Sequence, residues 1–327
     1  MRKVDVRWKK IFSHPSMNYV FKKSAFYLVA IIIALTFAFF VPRFMSSAER
    51  NIWVVYFFDL DKPLVEQYLI FWSNLIRLDL GPSFTYYPMT VIEVMFFPLI
   101  YTSLLVIPVL FLSFYVGNWI GGRAAYLKGR LNDLVYYILL CARSAPFYWL
   151  GIIIFVYFVT GDNIFLAHPG GISPGVSRGF TTEFFIDTLR HYAPAFLTLF
   201  IVNIGFWALG MRAMILYEME TSYINYARHS GFRNSTLRKY SQRNAILPQF
   251  TLLNMRLNEL VGETLILENV LLWPGIGALY LDSILSRDYP LVTGITIVLL
   301  VIAIIGNFLI DVSYGLLDPR IRTGSKT

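Results

Sequence analysis

Residues 223–248 read Y-I-N-Y-A-R-H-S-G-F, then a run carrying Arg233, Arg238, Lys239 and Arg243, then N-A-I-L-P. The stretch is polar, basic and helix-forming, and it interrupts a chain that is otherwise dominated by apolar runs. Gly231 is the expected end of a short helix, because glycine tolerates the positive φ that lets the backbone turn sharply into Phe232. Membrane proteins keep most of their inner loops short, so a long ordered one implies a partner on that side.

Composition supports a membrane setting. Of 327 residues, 57% are hydrophobic and 15% are charged. Soluble domains are about 45–50% apolar and about 25% charged. The net charge of +8 is spread over separate segments between apolar spans, which fits a membrane protein better than a nucleic-acid binder. Cys141 is the sole cysteine, so an internal disulfide or a cysteine zinc cluster is excluded. Seven Lys/Arg precede Ser24, but no small-residue cleavage site follows the apolar run, so a retained first span is expected.

Uncharged runs at 24–42, 94–122, 192–211 and 291–310 are long enough to cross a hydrocarbon core of about 30 Å at about 1.5 Å per residue. The run 134–160 is apolar except for Arg143, and Pro98 and Pro108 suggest that part of 94–122 lies at the interface. The segment 249–272 is ambiguous, because it holds Arg256, Glu259, Glu263 and Glu268. Charge bias decides it. With the N-terminus inside, the inner segments hold seven, three, five and three Lys/Arg, and the outer ones four, two and one. The positive-inside rule selects that orientation. Both ends are then cytoplasmic, the number of spans is even, and 249–272 has to cross. The expectation is an all-α membrane protein with six transmembrane helices. Its organisation is an inner segment over 1–23, a membrane domain over 24–320 and an inner tail over 321–327. The domain includes a first outer segment, 43–93, and an inner loop, 216–248.

A central charge in a spanning helix costs roughly 2.5–3.5 kcal/mol. Arg256, Glu259 and Glu263 are spaced i, i+3, i+7 and so share one helix face, which must look into protein or a watery cavity. Arg143 and Asp311 are candidate partners. Two readings stand side by side: ion pairs that lock helices together, or a lining for the route of a polar solute.

In the first outer segment, Leu64, Tyr68, Phe71, Trp72 and Leu75 recur at helical spacing after Pro63, as in an amphipathic helix on a membrane surface. Asp79–Ser83 reads as a turn, and so do the segments beginning at His168 and Ser173. His168 and His191 lack further ligands at metal spacing, so no metal is expected. The chain has no phosphate-binding G-x-x-x-x-G-K-[ST] loop, no G-x-S-x-G or H-E-x-x-H motif, and no evident internal repeat.

Several fragments, in order, resemble permeases of the oligopeptide/dipeptide/nickel family of ABC importers. They are Gln67-Tyr68, Trp72, Asp79-Leu-Gly81 and Ser83; Ser144-Ala-Pro146 and Trp149-Leu-Gly151; and Ala227-Arg228, Gly231, Arg243-Asn-Ala and Leu247-Pro248. Glu268, Trp273-Pro-Gly275, Gly277, Arg287-Asp-Tyr-Pro290, Asp311 and the run 317–322 follow. The resemblance implies a type I ABC-importer permease fold in a prokaryotic inner membrane. It also implies a second homologous permease, two ATP-binding subunits and an extracytoplasmic solute-binding protein as partners. ATP hydrolysis is then expected in the separate subunits, and this chain is expected to be neither an enzyme nor a cofactor carrier.

The same resemblance makes Asn225, Tyr226, Ala227, Arg228, Gly231 and Phe232 the ATPase-coupling loop. Asn225 and Tyr226 depart from the family signature, which has Glu and Ala there. Arg143, Glu259 and Glu263 stand where small or apolar residues are expected, so Arg143, Arg256, Glu259 and Glu263 are the candidates for a pathway of unusual polarity. Peptide is the first expectation for the solute and oligosaccharide the second, with no His or Cys cluster to support nickel. Outside this class, a proton-coupled secondary transporter could use Glu259, Glu263 and Asp311 as carriers. A non-transporting scaffold would not need the charged face.

Overall fold

A computed structural model describes residues 14–40, 52–160, 171–173, 175–176 and 181–317. The basic residues from Arg2 to Lys10, His168 and positions 318–322 of the last motif lie outside them, as do the 321–327 tail and residues 43–51 of the first outer segment. The described chain is helical almost throughout. Its helices are α1 His14–Phe40, α2 Ile52–Phe57, α3 Leu64–Ile76, α4 Val91–Ala124, α5 Gly129–Ser144 and α6 Phe147–Thr160. There follow α7 Thr182–Met219, α8 Ser222–His229, α9 Asn234–Val270, α10 Ile276–Leu285 and α11 Tyr289–Leu317.

Four of these, α1, α4, α7 and α11, are long and apolar enough to cross a membrane. The pair α5 and α6 meets the same test jointly, bent by 97° at its break, as in a broken span or a re-entrant loop. The apolar run 134–160 is thus broken inside. Pro146 lacks an amide hydrogen and disfavours helical geometry at the residue before it, and Ala145 is extended (φ −64°, ψ 126°). At 37 residues α9 has ample length to cross, but its charges keep it out of the apolar class. The 216–248 segment is a loop in name only. It contains the end of α7, all of α8 and the first four turns of α9.

Two compact units divide the chain, residues 1–99 with 279–327 and residues 100–278. In the first, α3 starts after Pro63 and ends at Arg77, as its spacing predicts. Its Phe71, Trp72 and Leu75 pack with Leu35 and Ala38 of α1 and Ile297 of α11. Lys23 of α1 pairs with Asp311 of α11 at 2.5 Å, and the Tyr27 hydroxyl donates to the same carboxylate at 2.9 Å. Side chains such as Phe26, Ile33 and Phe37 are left exposed, which suits a lipid solvent and would be a liability in water.

In the second unit α7 is the central helix. Small residues let backbones meet, as in other membrane bundles. A Cβ on Gly121 would run into the Ala208 backbone, and one on Gly205 would sit 3.0 Å from Arg143 Cα. Ala124, Leu139, Ala208 and Leu209 fill the seam between α4, α5 and α7. Several polar side chains within the helices satisfy themselves locally, as hydrocarbon favours. Thr198, Asn203 and Thr264 each donate at 2.7 Å to the carbonyl four residues back.

Candidate functional site

The short helix α8 is anchored by Ile224, which is fully buried. On its flank the Tyr223 hydroxyl donates to the Glu218 carboxylate and accepts from Asn244 at 2.7 Å. Burial, and then the bond to Glu218, hold that phenol above its ordinary pKa. Asn225 accepts from Arg228 at 3.2 Å and gives its carbonyl to His229 Nδ1 at 2.7 Å. The helix ends as its sequence predicts. Gly231 adopts φ +80°, its amide donates to Arg228 O at 3.1 Å, and the Phe232 amide reaches Ala227 O at 3.1 Å. Tyr226, Arg228 and Phe232 are exposed, and Ala227 is half-buried. The exposed side of the helix thus carries an aromatic, a cation and a tight turn.

On α9 the i, i+3, i+7 residues form one ion-pair fork. Arg256, with its side chain only 7% exposed, donates to Glu259 at 2.8 Å and reaches Glu263 at 3.0 Å. Its Nε donates to Asn203 Oδ1 of α7 at 2.8 Å. Three guanidinium nitrogens are thus engaged, which is how a membrane helix tolerates a buried cation. Glu263 is mostly buried, whereas the Glu259 side chain is 44% exposed. The proposed partners fall elsewhere. Arg143 places its guanidinium 5.3 Å from the Phe206 ring, whose other cationic neighbour is Arg256 at 5.0 Å. No carboxylate pairs with Arg143 among the described residues, and Asp311 is taken by Lys23. A cation meets a ring here because the aromatic face carries negative quadrupole charge. Asn203 and Phe206 went unrecognised in the sequence; the only hint was an amide inside an apolar run.

The remaining motif residues build turns. Glu268, 1% exposed, accepts from the Thr102 hydroxyl at 2.6 Å and the Gly277 amide at 2.7 Å. It is therefore separate from the charged fork on the same helix. Trp273 sits buried between the Tyr101 and Tyr192 rings. Asp288 caps α11 by accepting from the Leu291 amide at 3.1 Å, and its other oxygen accepts from Ser83 and from the Thr85 amide. Two motifs separated by 205 positions, Asp79–Ser83 and Arg287–Pro290, thus become one structure.

A helical chain with four to five apolar candidate spans has the build of a multi-pass membrane protein. Residues 117–323 match the model of the binding-protein-dependent transport system inner membrane component, and the chain belongs to that family. It is 31% identical to the probable D,D-dipeptide transport system permease protein DdpB of Escherichia coli, over 81% of this chain and 82% of that one. Identity to the oligopeptide transport system permease protein AppB of Bacillus subtilis is 28%, over 85% and 86%. For the di/tripeptide transport system permease protein DppB of Pseudomonas aeruginosa it is 29%, over 80% and 82%.

Proposed function

We propose that this chain is one of two similar permeases in an ATP-driven importer and that the imported solute is a peptide. The relatives named above carry oligopeptide, dipeptide or tripeptide in their names, which favours peptide over oligosaccharide. The further partners are two ATP-binding subunits, where ATP is hydrolysed, and a solute-binding protein outside the membrane. Both chain ends are cytoplasmic in this reading.

The observation that carries it is α8, whose exposed Tyr226 and Arg228 are presented on a helix locked at both ends. A partner shifts a two-state equilibrium only through contacts that differ between the states. A helix anchored by Ile224 passes such differences on as a movement of α7 and α9. Arg228 and Phe232 are the contact residues, and Asn225 and Ala227 set the helix. The charged fork on α9, with Arg143 near it, lines the solute route. The proton-coupled alternative is disfavoured because all three carboxylates are engaged by cations, Glu259 and Glu263 sharing Arg256 and Asp311 bonding Lys23, although the shared cation leaves the fork one net negative charge.

Gly231 offers the test. Nothing lies within 4 Å of the position of an added Cβ, so a substitution there is resisted by its φ alone. Asparagine accepts left-handed geometry and valine does not. In the reconstituted importer, Gly231→Asn should retain peptide uptake and ATP hydrolysis stimulated by the binding protein, while Gly231→Val inserts normally and loses both. Normal stimulation in Gly231→Val would refute the docking role. Peptide uptake by ATP-free vesicles under a pH gradient would favour the secondary transporter.

A further inference from the structure

Helices α4 and α9 border a cleft of 1010 Å³ in the second unit, and its two ends differ in chemistry. At one level Phe114 and Phe250 face each other with ring centroids 5.0 Å apart. At the other, Gln242 Nε2 donates to Gly122 O at 3.4 Å. Around the second level stand Arg123, Arg238 and Arg243, and the cleft has no acidic lining residue. The described residues pair none of these three arginines with a carboxylate. Instead, Arg123 lies 3.6 Å from the Trp119 ring centroid and Arg238 4.5 Å from that of Tyr126. Asn118 lines the wall between the levels, is 7% exposed, and its Oδ1 has no hydrogen-bond partner.

The basic level coincides with a chemical boundary in both helices. Arg123 is the first charge after the long uncharged run of α4, and Arg243 is the last before the uncharged run that leads to Arg256. Trp119 and Tyr126 are residue types that settle at such boundaries. Three guanidinium groups with unmet charge, above an apolar aromatic trough, complement a ligand that is anionic at one end and hydrocarbon at the other. We propose that the cleft binds an anionic phospholipid. Its phosphate sits among Arg123, Arg238 and Arg243, and its acyl chains lie along Phe114, Tyr115 and Phe250. Guanidinium forks match phosphate oxygens in pairs, and stacking on a ring holds the fork in place before the lipid arrives. Basic pockets between spanning helices have this role in other membrane proteins.

Native mass spectrometry of the purified full-length chain, with added phosphatidylglycerol or phosphatidylcholine, tests this. The wild type should retain one phosphatidylglycerol through detergent removal and retain no phosphatidylcholine. Each single Arg→Gln change in the cleft should weaken retention by about fivefold, and the triple variant by roughly a hundredfold. Arg130→Gln, outside the cleft, should change nothing. A triple Arg→Lys variant, which keeps charge but loses the fork, should fall between and guards against misfolding of the triple Gln protein. Equal retention of both lipids, or equal retention by wild type and triple Gln variant, would overturn the proposal. Displacement of the lipid by millimolar inorganic phosphate would do so too, by making the site one for free anions. Cross-linking of Tyr115→Cys to a second permease subunit, with the lipid lost on assembly, would assign the cleft to protein contact.

Discussion

The carboxylate of Glu268 occupies the space that a side chain on Gly275 would need. The overlap exists because Glu268 reaches across the turn between α9 and α10 to accept from Gly277, while Thr102 both donates to it and receives the Ile276 amide at 2.8 Å. Gly275→Ala should therefore lower the apparent Tm of the purified chain and reduce its level in the membrane. Glu268→Ala leaves the Thr102 hydroxyl and the Gly277 amide without their acceptor, at about 1–3 kcal/mol each. Glu268→Gln keeps one acceptor oxygen and should cost about half as much. A Tm unchanged by Gly275→Ala would show that the turn is looser than described.

Arg256 should be more sensitive than either of its acids. Arg256→Leu strands the mostly buried Glu263 carboxylate and should cost about 3–5 kcal/mol. The double change Arg256→Leu with Glu263→Leu should recover most of that, because a buried ion pair exchanges well for apolar packing. If the recovered double variant still imports peptide slowly, the fork serves the solute route as well as stability. Full activity in it would make the fork structural.

Gln249 is fully buried on α9, and neither atom of its amide has a hydrogen-bond partner. Both atoms would lie 3.1–3.2 Å from a Cβ on Gly210. An unpaired buried amide is costly, so Gln249→Met should stabilise the chain by about 1–3 kcal/mol. Thermal unfolding of the two proteins in one detergent gives the comparison, and a lower Tm would mean that the amide has a partner.

The Lys23–Asp311 pair joins α1 to α11 with the two side chains 34% and 17% exposed. Exposure of that order limits its worth. A double-mutant cycle with Lys23→Met and Asp311→Asn should give a coupling of about 0.5–1 kcal/mol. A value near zero would leave helix packing and the tyrosine hydrogen bonds to Asp311 as the ties between the two.

Orientation is open to direct labelling. Tags after Thr327 and within 216–248 should be reached only from the cytoplasm, and a tag in 50–60 only from outside. An external tag at Thr327 would mean that the charged part of α9 does not cross.

The sequence by itself determined the class of protein, most span positions and the small turns. Long apolar runs have no other stable home than a bilayer, Pro63 and Gly231 mark element ends through backbone constraints, and the i, i+3, i+7 spacing of Arg256, Glu259 and Glu263 puts them within reach on one helix. The resemblance carried by the ordered motifs added the family. Partnerships between distant positions were decided only in the tertiary structure. Ser83 and Asp288 were both visible as motif residues, but nothing local states that one donates to the other. Arg143 could have answered either carboxylate by charge, yet packing of Gly205 against its backbone sets it beside Phe206 instead. The bend at Pro146 was decided in part locally, since proline permits a break, and the structure fixed its size at 97°. The physical reason is common to these cases. Periodicity and φ constraints act within a few residues, whereas an ion pair or a ring contact depends on which helices lie side by side.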